Sequence, residues 1–177
     1  MKRTDFVLPT VFWVSIITLV GAWSFEIFGF YRPCPLCLIE RWPYYAVVGV
    51  VVSAKLRSPW TGKPIPRHWL LAVCGVIMLA SASLGIHHAG LEWGWWSESA
   101  ACRHFGVPSS HMPPDLSAAP IVACDRAAWR FLGLSLAGYN AILSLGLAVI
   151  AFWGALAHRR ADASRSSPVH GSSSLSQ

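Results

Sequence analysis

LPTVFWVSIITLVGAWSFEIF, residues 8–28, is an apolar run of 21 residues that contains a single charge, Glu26. At a rise of about 1.5 Å per residue, a helix of this length crosses the roughly 30 Å hydrocarbon core of a bilayer. The run has no small-x-small cleavage site after a short apolar core, so it is predicted to remain in the chain as a helix. Three further runs of spanning length follow, at about residues 38–54, 69–88 and 134–158. The sequence therefore predicts an all-α membrane protein, a four-helix transmembrane bundle within residues 1–158.

The composition agrees with a membrane protein. Hydrophobic residues make up 54% of the chain and charged residues 12%, and the ten tryptophans exceed what a soluble domain of this size carries. The net charge of +6 is explained by basic residues that gather beside anionic lipid. Because no basic run is interleaved with aromatic residues, nucleic acid is not expected as a partner.

The lysines and arginines predict an orientation in the membrane. Nine of them lie before the first run, between the second and third, or after the fourth: Lys2, Arg3, Lys55, Arg57, Lys63, Arg67, Arg159, Arg160 and Arg165. By the positive-inside rule this side is cytoplasmic, so both termini lie inside and the two cysteine-bearing loops lie outside. The serine-rich residues 159–177 are predicted to be a disordered cytoplasmic tail.

Four of the five cysteines fall in the predicted outer loops. Cys34 and Cys37 form a Cys-x-x-Cys pair, and Cys102 and Cys124 lie in the second loop. Four cysteines allow three pairings, of which local geometry favours Cys34–Cys37 and Cys102–Cys124. A small Cys-x-x-Cys ring opens and closes easily, which indicates electron exchange more often than structural cross-linking. Cys74, within the third run, is predicted to be a buried apolar residue.

Arg41 follows Cys37 by four residues and is expected to share a helix face with it. If a helix begins near Cys37, its N-terminus stabilises a thiolate there. A thiolate beside a fixed cation at the bilayer edge is suited to a lipid-soluble acceptor such as a quinone. His87 and His88 end the third run and could reach the same level.

Less specific interpretations also fit these residues. Arg41 could serve only the lipid headgroups, His88 could be a simple interfacial histidine, and Glu26 and Glu40 are predicted to lie at headgroup level. A Cys-x-x-Cys pair is also half of a zinc site. Haem attachment is disfavoured, because a leucine follows Cys37 where that motif needs histidine.

The run Cys34-Pro35-Leu36-Cys37-Leu38-Ile39-Glu40-Arg41 resembles the Cys-x-x-Cys and Glu-Arg signature of the DsbB family, and residues 129–134 resemble the segment that enters its fourth helix. The resemblance implies an inner-membrane enzyme that reoxidises the periplasmic thiol oxidase DsbA and passes the electrons to a membrane quinone, either ubiquinone or menaquinone. It implies that Cys102–Cys124 meets DsbA and that Cys34–Cys37 meets the quinone, with Cys37 as the nearer thiol. Arg41 and His88, or His87 in its place, would bind the quinone.

Two alternatives to this function stay open from the sequence. One is a related enzyme that serves a dedicated substrate oxidase instead of a general DsbA. The other belongs to a different class, a structural membrane protein whose cysteines bind zinc.

Overall fold

Four long helices and one short helix form the computed structural model, which describes residues 4–29, 33–61, 65–97, 124–125, 127 and 129–166. The elements in chain order are α1 (Val7–Phe28), α2 (Pro35–Ile39), α3 (Trp42–Thr61), α4 (Arg67–Glu92), β1 (Arg130–Phe131), β2 (Leu134–Ser135) and α5 (Leu136–Ser166). Within these residues, four helical stretches are long and apolar enough to cross a membrane: Val7–Phe28, Pro35–Arg57, Arg67–Glu92 and Leu136–Ser164. The predicted fold class, an all-α bundle of four spanning helices, is confirmed.

The second stretch is not one uninterrupted helix. α2 ends at Ile39 and α3 begins at Trp42, with a turn at Glu40 and Arg41 between them. Pro43 explains the break, because proline lacks the N–H that would bond to the carbonyl of Ile39, and its ring clashes with that carbonyl. The same proline is tolerated in the first turn of α3, where a missing N–H costs nothing.

The last helix is longer than the sequence predicted. The disordered tail was expected over residues 159–177, but α5 continues to Ser166, so residues 159–166 are helical and the prediction is wrong there. No glycine or proline occurs between Gly154 and Pro168, and a residue before proline is disfavoured in helical geometry. His68 Nδ1 also lies 3.1 Å from Asp162 Oδ2, which ties this turn of α5 to the start of α4. The rest of the predicted tail, residues 167–177, lies outside the described residues.

A two-residue hairpin precedes α5. β1 pairs antiparallel with β2, Arg130 opposite Ser135 and Phe131 opposite Leu134. Leu132 (φ 49°) and Gly133 (φ 84°) both have positive φ, the requirement of a type I′ turn. The fourth run was predicted to become helical at residue 134, whereas the hairpin delays the helix to Leu136.

The bundle core lies between the long helices, and α4 and α5 share its most extensive contact. A Cβ on Gly85 of α4 would lie 2.8 Å from the backbone nitrogen of Ala141 on α5, so glycine is required for this approach. Small residues at helix contacts are typical of membrane bundles, where backbones pack directly. Val47, Leu71, Cys74 and Met78 are almost fully buried in the core. Many large apolar side chains point outward instead, for example Trp13, Ile17 and Val149, as expected for surfaces that face lipid.

Candidate functional site

The first cysteine of the Cys-x-x-Cys pair caps a helix. Cys34 is the N-cap of α2, and its Sγ accepts a hydrogen bond from the backbone N–H of Cys37 at 3.1 Å, while Pro35 opens the helix. Sulfur thus takes the capping role that a serine or aspartate oxygen usually fills. Two hydrogen bonds from Cys37 lower the pKa of the Cys34 thiol. The side chain of Cys37 has the larger effect and its backbone N–H the smaller one. The sequence predicted that the helix N-terminus would favour a thiolate at Cys37; the helix begins two residues earlier, so it favours one at Cys34.

His88 meets Cys34 from the end of α4. The imidazole is 3% exposed, with Nε2 lying 3.6 Å from Cys34 Sγ and Nδ1 lying 2.7 Å from Glu40 Oε1. A carboxylate accepts hydrogen bonds only, so the pattern assigns the ring proton to Nδ1 and leaves the lone pair of Nε2 facing the sulfur. The three side chains form a thiol, base and carboxylate series of the kind used to activate nucleophiles.

The neighbouring histidine lies elsewhere. His87 is exposed and stacks on Trp96, with ring centroids 5.4 Å apart. Successive residues of an α-helix point about 100° apart, so only one of two adjacent histidines can face the cysteines. His88 is that residue.

Glu40 is held by a buried polar network. Its Oε2 accepts a hydrogen bond from Asn140 Nδ2 at 3.1 Å, and Asn140 Oδ1 accepts one from the hydroxyl of Tyr44. The Tyr44 hydroxyl also lies 2.7 Å from Ser144 Oγ, which donates to Ser81 Oγ at 2.9 Å. The sequence predicted Glu40 to lie at headgroup level, but it is 8% exposed and faces the bundle interior. The network fixes the carboxylate in the position that orients His88.

Arg41 faces α1 rather than the cysteines. Its Nη1 donates to Glu26 Oε2 at 2.8 Å, and its guanidinium lies 5.6 Å from the centre of the Trp23 ring. The side chain of Arg41 is 13% exposed and that of Glu26 is 34% exposed. Glu26 was expected to be a headgroup-level residue, and its role in the structure is to fix Arg41 at the break between α2 and α3.

The second pair of cysteines is described in part. Cys124 is disulfide-bonded, and it is buried in a small cluster with Cys34, Leu36 and Leu91, against which Cys37 packs. Cys102, its predicted partner, lies outside the described residues. Cys34 and Cys37 are free thiols, so the structure has this pair in its reduced form, and the predicted Cys34–Cys37 bridge would be the oxidised form. The cluster thus contains one cysteine of the second loop together with the inner pair.

Sequence reasoning missed four polar residues around this site. Glu40 was assigned to the headgroups, and Tyr44, Asn140 and Glu92 received no role. Asn140 carried a usable signal, because a polar side chain inside a spanning helix is costly unless it has a partner or a function. Glu92 follows His88 by one helical turn, and its side chain is 4% exposed.

Comparisons of the sequence with known proteins identify a family. The family described as "Disulfide bond formation protein DsbB" matches residues 4–154. A protein of Acidovorax sp. named "Disulfide bond formation protein B" is 30% identical over 129 residues, which are 67% of this chain and 68% of that protein. The protein of the same name from Methylococcus capsulatus is 28% identical, over 86% of this chain and 95% of its own.

A further relative has no assigned function. It is an uncharacterised protein of Rickettsia prowazekii, 29% identical over 84% of each chain. The comparison with solved structures found no match. The family match covers all four cysteines of the two pairs and the helices as far as residue 154 of α5, and the chain belongs to the DsbB family of disulfide bond formation proteins.

Proposed function

We propose that the protein reoxidises a periplasmic DsbA-type thiol oxidase by thiol-disulfide exchange and passes the electrons to a membrane quinone. Membership of the DsbB family gives an oxidoreductase role in disulfide formation. The observation that carries the finer proposal is the Cys34–His88–Glu40 series, because a buried thiol with its own base is suited to repeated redox chemistry rather than to cross-linking.

The Cys102–Cys124 disulfide is proposed to meet the partner oxidase. Attack by a partner thiolate on this bridge oxidises the partner and leaves two reduced cysteines. Cys124 is buried in the same small cluster as Cys34, which favours attack of a Cys124 thiolate on the Cys34–Cys37 disulfide at Cys34. This attack forms a Cys124–Cys34 bridge and releases Cys37; Cys102 then attacks Cys124, which restores the outer bridge and leaves the inner pair as two thiols.

Arg41 and Cys37 are proposed to face the quinone. The arginine fits the ligand, because a guanidinium has five N–H groups and can bond to Glu26 while it donates to a quinone oxygen. Cys37 is more exposed than Cys34, as a thiol that meets a lipid-soluble molecule must be. A bound quinone would supply the oxidising equivalents, taking up the two electrons and two protons that the thiols lose as they form the disulfide.

His88 is proposed to take the Cys34 proton rather than to contact the quinone. Both ring nitrogens face protein groups, Nδ1 toward Glu40 and Nε2 toward Cys34. The Cys34 thiolate that results closes the bridge onto Cys37, and the charge left on the imidazole is balanced by the Glu40 carboxylate. His88 then gives this proton up as the quinone is reduced, so that both thiol protons leave the inner pair and the ring is neutral again before the next cycle.

Trapping tests the division of labour between the pairs. Cys124→Ala removes the resolving thiol, so Cys102 should accumulate a mixed disulfide with a reduced DsbA-type protein. Cys74→Ala is the matched control, since Cys74 lies fully buried in the core and should leave trapping unchanged. A Cys124→Ala protein that forms no adduct, or forms it through Cys34 or Cys37, would overturn the proposed roles.

Labelling tests the proposed inner-membrane topology, with both termini cytoplasmic and the cysteine loops periplasmic. A thiol reagent that does not cross membranes should label reduced Cys34, Cys37, Cys102 and Cys124 from the periplasm and leave Cys74 unlabelled. Labelling of the loop cysteines from the cytoplasm alone would reject both the orientation and the exchange with a periplasmic partner.

A further inference from the structure

The reduced pair and His88 have the geometry of a metal site. Cys34 Sγ, Cys37 Sγ and a ring nitrogen of His88 all lie within 4.8 Å of one another. In tetrahedral zinc coordination, Zn–S bonds of about 2.3 Å and Zn–N bonds of about 2.0–2.1 Å place the sulfur and nitrogen about 3.6 Å apart. Cys34 Sγ and His88 Nε2 are separated by 3.6 Å. These two donors thus already have the separation that zinc needs, and Cys37 Sγ lies within 4.8 Å of both.

The groups behind the donors match those of metal sites. A histidine that binds metal usually donates its other ring N–H to a carboxylate, which fixes the ring and raises the basicity of the ligating nitrogen. Glu40 supplies this carboxylate, 2.7 Å from His88 Nδ1. The Cys37 backbone N–H donates to Cys34 Sγ, which stabilises a thiolate on that sulfur.

Glu92 provides an independent observation. Its side chain is 4% exposed, and among the described residues its Oε2 has no hydrogen-bond partner. Its Oε1 lies 3.9 Å from His88 Nε2, on the side of the ring that faces the cysteines. A buried carboxylate without a partner is costly, and a cation beside it removes that cost. Glu92 is not among the three groups that lie within 4.8 Å of one another, so its side chain must rotate to reach a metal held by Cys34, Cys37 and His88.

We infer that the reduced form of this protein binds one Zn²⁺ through Cys34, Cys37 and His88, with Glu92 as the fourth ligand. Two thiolates, an imidazole and a carboxylate in tetrahedral arrangement suit zinc among the common divalent ions. Binding releases the two thiol protons, and no electron is transferred. The oxidised pair has no thiolate to offer, so zinc binds the reduced form alone. If the proposed function holds, zinc then inhibits the enzyme by withholding the thiols from the quinone.

Metal titration of the detergent-solubilised full-length protein tests the site. Cys102→Ser with Cys124→Ser removes the outer pair, so that the remaining loop thiols are Cys34 and Cys37. Co²⁺ is the probe, since thiolate coordination gives it an intense near-ultraviolet charge-transfer absorption, and Zn²⁺ should displace it. The reduced protein should bind about one Co²⁺ per chain with this absorption, and the same protein with the pair oxidised should show none.

Variants separate the site from adventitious binding. His88→Ala should lose the absorption, whereas His87→Ala, which changes the exposed neighbour, should keep it. Glu40→Gln should weaken zinc binding by about 10–100-fold, because it removes the carboxylate behind the histidine. Glu92→Gln should also weaken zinc binding and keeps all three of the other ligands, so it serves if His88→Ala does not fold.

Equal metal affinity in the reduced and oxidised proteins would overturn the inference. So would a thiolate absorption that persists in both His88→Ala and Glu92→Gln, or binding that survives Cys34→Ser. Metal binding is measured without quinone, and quinone reduction is measured with a chelator present, so failure of the zinc site and failure of the proposed function are distinguishable.

Discussion

Glu40→Gln keeps the shape of the side chain and removes its charge, and the structure gives a specific reason why this should slow the enzyme. Two donors converge on the carboxylate, the Nδ1–H of His88 at 2.7 Å and the Nδ2 of Asn140 at 3.1 Å. A glutamine amide has one oxygen, so it can satisfy only one of them. If the amide nitrogen faces His88, the ring must carry its proton on Nε2. A protonated Nε2 can no longer accept the proton of Cys34.

The expected magnitude follows from the bond that is lost. A hydrogen bond to a charged group contributes about 1.5–3 kcal/mol, and about 1.4 kcal/mol corresponds to a factor of ten in rate. Glu40→Gln should therefore lower the rate of quinone reduction by the reduced inner pair by roughly 10- to 150-fold.

The assay is single-turnover reduction of ubiquinone by the pre-reduced protein, followed through the ultraviolet absorbance of the quinone. Asp162→Asn is the matched control, because Asp162 also lies beside a histidine ring nitrogen, His68 Nδ1 at 3.1 Å, but at the opposite end of α4 from His88. Its rate should stay within about twofold of wild type, since no hydrogen bond to the reacting series is lost. A folded Glu40→Gln protein that reduces quinone at the wild-type rate would refute the proton transfer through His88.

Three further outcomes are expected. Arg41→Met should raise the KM for quinone and lower kcat, so that kcat/KM falls by about 10- to 100-fold while membrane insertion stays normal. Wild-type kinetics in this variant would make Arg41 a structural partner of Glu26 alone. The pKa of Cys34 should be higher in Cys37→Ala than in Cys37→Ser, because a serine hydroxyl can still donate to the sulfur. The rate of Cys34 alkylation against pH measures this pKa, and alkylation should continue to lower pH in the serine variant. Gly85→Ala should lower the free energy of unfolding by about 1–3 kcal/mol in a denaturant titration, since its Cβ would lie 2.8 Å from the Ala141 nitrogen. Gly49→Ala is the control and should be neutral or stabilising, because no atom lies within 4 Å of its added Cβ. Equal effects of the two glycine substitutions would reject the close packing of α4 on α5.

The sequence by itself determined the number of spanning helices and the family. Span length and hydropathy belong to contiguous residues, so four apolar runs were enough to predict four helices. The spacing of Cys34, Cys37 and Arg41 is likewise a local pattern, and with Glu40 it was enough to indicate the family. Pro43 could also have predicted the break after Ile39, because the loss of a helix hydrogen bond at proline is a local effect.

The tertiary structure alone decided which side chains form the site. Glu40 and His88 are 48 positions apart, and Glu40 and Asn140 are 100 apart, so their contacts depend on how α4 and α5 pack beside α2. The same packing turns His88 toward the cysteines and leaves His87 exposed. It also buries Glu40, which sequence reasoning had placed at the headgroups. A carboxylate is stable in the interior of a membrane bundle only where donors meet it, and no local pattern in the sequence shows where donors from distant helices converge.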